Sequence, residues 1–129
     1  MTLLNAKPDE SKPLYDETPT SDNESPVIPF GVITIGGIAW RIVIDPGLEA
    51  EGLSGDISED KALIRIMPRD PSAMTITLVH EILHAINWVY CNSAIPHKVF
   101  NALAHGLIQS AKQLLPGCSI GWSETLRKS

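Results

Sequence analysis

Several common classes are excluded by what this chain lacks. No lysine or arginine run occurs in its 129 residues, and the formal net charge is −5. A nucleic-acid-binding surface needs a basic patch, so no nucleic-acid partner is expected. No apolar stretch approaches the length of about 20 residues that spans a bilayer. The N-terminus has no basic region followed by an apolar one, so neither a membrane span nor a secretory signal is expected. Cysteine is scarce: Cys91 and Cys118 are the two present, and their spacing is not that of a metal site. Reduced thiols in a cytoplasm follow as the expectation.

What is present suits one small domain with a tail. The hydrophobic fraction is 43%, enough for a modest core. Residues 1 to 28 read as a disordered, acidic, proline-rich tail. Pro8, Pro13, Pro19 and Pro26 break any periodicity there. Asp9, Glu10, Asp16, Glu17, Asp22 and Glu24 stand against Lys7 and Lys12, a net of −4. Such a segment buries too little apolar surface to offset its ordering entropy. Its sharper reading is a docking arm anchored by Leu14 and Tyr15, or a self-inhibitory segment lying over a cleft.

The domain is expected over residues 29 to 129. Val32 to Ile35 and Ile38 to Ile44 are β-rich and flank Gly36-Gly37, a tight-hairpin signature. Asp45-Pro46-Gly47 supplies turn chemistry. Leu53 to Ile57 and Leu63 to Met67 read as further short strands. Together these predict an antiparallel sheet of three to four strands, mostly joined by hairpins. A helix is then predicted, with Asp70 as N-cap and Pro71 in its first position. Met74, Leu78, Val79, Ile82, Leu83, Ile86 and Val89 make it apolar over much of its circumference, as befits a central helix. Pro96 opens a second helix, and Pro116-Gly117 stops it near Leu115. The last residues, Trp122 among them, fit no element. The expected class is α+β.

The chemistry sits in His80-Glu81-Ile82-Leu83-His84. Positions i and i+4 share a helix face one turn apart, so the two imidazoles can grip one tetrahedral zinc ion. Glu81 adjoins the first ligand and can take a proton from a zinc-activated water. A bare match arises by chance in roughly one chain in a few hundred, so context must carry the assignment. Here the polar residues interrupt an apolar helix, where two imidazoles and a carboxylate without partners would cost several kcal/mol. A metal removes that cost. A catalytic zinc also needs a third protein ligand and one open position. Cys91 fits better as a small buried hydrophobe, and Tyr90 as a packing residue. His97 and His105 remain, about 80° apart around the second helix.

Residues 31 to 115 resemble the small phage and prophage HExxH proteins, themselves similar to the ImmA/IrrE-type zinc peptidases. The resemblance is carried by Ile33-Thr34-Ile35-Gly36-Gly37, Ala62-Leu63-Ile64-Arg65-Ile66, the run Thr77 to Ile86, and Val99-Phe100-Asn101-Ala102-Leu103-Ala104 leading to Gly106-Leu107. It implies a minimal zincin-like fold, the site lying between the sheet edge and both helices. It also implies that the third ligand, usually a glutamate four residues before the position of Asn101, is His97 here. That exchange removes a negative charge and leaves the zinc more electropositive. His105 is the alternative third ligand, or else an oxyanion stabiliser, a hydrogen-bonding partner of a ligand, or a satisfied histidine without a role. The function expected is a Zn2+-dependent metallopeptidase acting on a protein or peptide, with Glu81 as general base, phage- or mobile-element-encoded and working in the host cytoplasm. The alternatives are a metal-stabilised protein-binding module and an inactive relative.

Overall fold

The computed structural model describes residues 26–117, 119–122 and 125. The acidic tail up to residue 25, with Leu14 and Tyr15, lies outside them, as does Cys118. Strands β1 (Ile28–Ile35) and β2 (Ile38–Ile44) form the antiparallel hairpin expected across Gly36-Gly37. Both glycines have positive φ, +62° and +80°, as a two-residue hairpin turn requires. Gly36 meets a second demand, because a Cβ there would collide with the Val89 side chain. The register slips between Pro29 and Gly31, which frees Phe30 from the ladder to stack on Trp122 at 4.4 Å.

A 3-10 turn, Pro46–Glu49, follows, capped by Asp45 through Gly47 N–H at 2.9 Å. Strands β3 (Gly55–Ser58) and β4 (Leu63–Ile66) form a second antiparallel hairpin. The sheet of four strands has the order β1-β2-β4-β3. It is mixed, which corrects the expectation of an antiparallel sheet: β4 pairs with β2 in parallel, Ile42 opposite Ile64. The physical reason lies in β4, where Leu63, Ile64 and Ile66 are all buried. A strand apolar on both faces belongs inside a sheet. The chain therefore crosses to the far edge for β3 and returns to place β4 against β2. Arg65, the polar residue of β4, ties this crossover down. It makes a two-pronged ion pair with Asp56 of β3, bonds Asp45 Oδ2 at 3.1 Å and reaches Glu51 at 3.5 Å.

Helix α1 (Pro71–Tyr90) starts as its residues dictate, with Asp70 Oδ1 accepting the Ala73 N–H at 3.0 Å and Pro71 inside the first turn. Its Met74, Leu78 and Ala85 join Ile35, Trp40, Ile42, Ile44, Ile64 and Ile66 of the sheet in one buried cluster. Trp122 completes that cluster, its indole N–H donating to Thr75 Oγ1 at 2.9 Å. The expected second helix is in two parts, a 3-10 turn His97–Val99 and helix α2 (Phe100–Leu114). The fold is thus α+β, a mixed sheet with two helices. No helix among the described residues is long and apolar enough to cross a membrane.

Candidate metal centre

His80 and His84 lie one turn apart on α1, ring centroids 5.0 Å apart, as the i, i+4 spacing dictates. The ring of His97 comes within 5.0 Å of His80 and 4.8 Å of His84, centroid to centroid. One nitrogen from each of the three rings can be chosen so that all lie within 4.8 Å of one another. His80 Nε2 and His97 Nε2 lie 3.1 Å apart.

The delivery of His97 has a specific cause. Asn87 is a buried amide in the last turns of α1, 7% exposed. Its side chain donates to Ile95 C=O at 3.1 Å and accepts from Ile95 N–H at 3.0 Å. That paired contact fixes the loop two residues before His97, and Pro96 then leads into the 3-10 turn. Asn92 and Ser93 turn the chain there with positive φ, 53° and 58°. Beneath the rings lies Phe100, 1% exposed, its own ring edge-on to His80, His84 and His97. On the far side of His80, Nδ1 meets Asn101 Oδ1 at 2.9 Å.

Glu81 follows His80 directly, so its side chain leaves α1 about 100° further round the helix. It is 6% exposed and faces the start of β3, with Oε2 3.4 Å from where a Cβ on Gly55 would lie. Glycine is required at 55 because a Cβ there would collide with the Thr77 side chain at 2.6 Å and crowd the Arg65 C=O at 3.0 Å. Burial, then the charges of Asp56 and Glu59, push Glu81 up to about 7. Burial, then neighbouring His80 and His97, push His84 down to about 4. At neutral pH the His84 ring is therefore uncharged, the form that binds a metal.

The three rings could together hold one metal ion. Two nitrogens each about 2.0–2.1 Å from one such ion sit roughly 3.4 Å apart, and the 3.1 Å between His80 and His97 is close to that. Three protein donors leave a fourth position for water or substrate. His105 is not brought to the cluster; it is exposed, and its Nδ1 lies 2.7 Å from the Asn101 C=O on its own helix. Cys91 caps the end of α1, and Tyr90 is 68% exposed; neither joins the cluster. A cavity of about 690 Å³ between α1 and α2, walled by Ile76, Val79, Leu107, Ile108 and Trp122, contains none of the three histidines.

Sequence reasoning did not assign Asn87, Phe100, Gly55 or the Asn101 contact. Asn87 had a usable signal, a lone amide in an apolar helix three residues past His84. Phe100 had another, as the first large apolar residue after His97. No family model matches the chain, and no curated protein or solved structure is significantly similar to it.

Proposed function

We propose that the chain is a zinc-dependent metallopeptidase, a minimal zincin-like arrangement in which the HExxH helix α1 stands between the sheet and α2. In this reading His80, His84 and His97 hold the metal. The observation that carries it is the convergence of three imidazoles from two helices, with a buried carboxylate on the turn that bears two of them. Bound there, a zinc ion would acidify a water and polarise the scissile carbonyl.

The chain's own residues do the rest. Glu81 takes the proton of the attacking water and passes it to the leaving amine nitrogen. Burial at the start of β3 holds its carboxyl nearer neutrality than a surface glutamate, which suits a group that must both accept and release a proton. Phe100 keeps the three rings in register from below. Neutral imidazoles also bind cobalt, nickel and copper, so zinc is proposed on the spacing and the tetrahedral fit. The resemblance to phage and prophage HExxH proteins and the ImmA/IrrE type supports a protein or peptide substrate in the host cytoplasm. A metal-stabilised binding module is the competing reading, but among the described residues three donors rather than four converge, which favours catalysis.

The test uses zinc-loaded full chain and a quenched fluorescent peptide library. Glu81→Gln should retain zinc and lose about 10²–10⁴-fold in hydrolysis. Equal turnover by the variant, or a native chain whose melting temperature falls on chelation but which cleaves nothing, overturns the peptidase reading.

A further inference from the structure

We infer that Asn101 is a positioning residue that holds the His80 ring with Nδ1 protonated and Nε2 bare and aimed at His97. An imidazole in water exchanges its single proton between two nitrogens, and only the unprotonated one can bind a metal. Asn101 Oδ1 is solely an acceptor, so at 2.9 Å from His80 Nδ1 it requires the proton on that nitrogen. His80 Nε2 is then left with its lone pair, and it is the atom 3.1 Å from His97 Nε2.

The position of Asn101 makes this selection dependable. It follows Phe100, which is anchored under the rings at the start of α2. Asn101 is thus set at the start of α2 by contacts independent of its own amide. Its neutrality matters too. A carboxylate at this place would push electron density into the ring and make it a more basic ligand. The amide sets direction without adding charge, so the cluster keeps a neutral donor set. The consequence for metal affinity rests on the proposed metal reading; the tautomer does not.

The experiment therefore has two arms, both on the full chain. In metal-free protein at pH 8, long-range ¹H–¹⁵N correlation should find His80 protonated at Nδ1. Asn101→Ala should return it to a tautomer mixture, with an unchanged far-UV spectrum. Zinc affinity, measured by competition with a chromophoric chelator, should fall ten- to a hundredfold in Asn101→Ala. Asn101→Asp should restore or exceed the native affinity, and His105→Ala should leave it unchanged. An Nε2-protonated His80 in the native chain, or an alanine variant with native tautomer and native affinity, overturns the inference. A native chain that takes up no zinc yet shows the Asn101-dependent tautomer would sink the metal reading and leave the positioning role standing.

Discussion

Helix α1 buries Met74, Leu78, Glu81, Ala85 and Asn87, and three of these belong to the core shared with the sheet. Helix α2 buries only Phe100 and Ala104 and turns Leu103, Leu107 and Leu114 to solvent. One cluster of histidines nevertheless joins α1 to the 3-10 turn that leads into α2. Packing against the sheet sets the α1 side of that cluster, with Asn101 orienting the His80 ring. The α2 half hangs on Phe100, Ala104 and the Asn87 clamp, so a bound metal would act as a clasp between a firmly held helix and a lightly held one.

This contrast can be broken or sharpened by measurement. Phe100→Ala should have the largest effect, a loss of about 3–5 kcal/mol in urea unfolding, since it empties the main contact of α2. If hydrogen exchange then rises equally in both helices, the contrast fails. Next comes Glu81→Gln in metal-stripped protein. A carboxyl raised from 4.5 to about 7 contributes no cost below pH 4.5, a growing cost between 4.5 and 7, and the full cost above. Native stability should therefore fall with rising pH across that window. The glutamine variant should lack the slope and be more stable at pH 8 by up to about 3 kcal/mol. Equal pH profiles would show that the α1 half carries no such tension. Zinc at a hundredfold excess over its Kd should add about 2.7 kcal/mol. Its gain in exchange protection should concentrate in residues 97–104, and an even spread over α1 would again remove the contrast. The smallest effect belongs to His105→Ala, within about 0.5 kcal/mol and with unchanged zinc affinity, because that ring is exposed and outside the cluster.

Much of this was legible in local chemistry. Gly36-Gly37 between two β-rich runs specified the first hairpin, and Asp70-Pro71 specified the start of α1. The spacing of His80 and His84 places two rings on one helix face by itself. The parallel pairing of β2 and β4 was not legible, because alternation says which face a residue takes and not which strand lies beside it. The approach of His97 was written only indirectly. It depends on Asn87 bonding Ile95 eight residues on, and a hydrogen bond across a loop has no periodic signature. The separation of His97 from His105 depends on which side of α2 docks, and Phe100 and Ala104 decide that.

The sheet is two hairpins joined along a single seam, β2 against β4. Each hairpin closes over a few residues, an event of about 1–10 microseconds. The seam brings together segments some twenty residues apart in sequence, Arg41 opposite Leu63 and Ile44 opposite Ile66. Loop-closure entropy makes such a pairing slower than either hairpin. Assembly therefore has a natural order of two quick local closures and one slower meeting, with Arg65 latching the crossover once the halves have met.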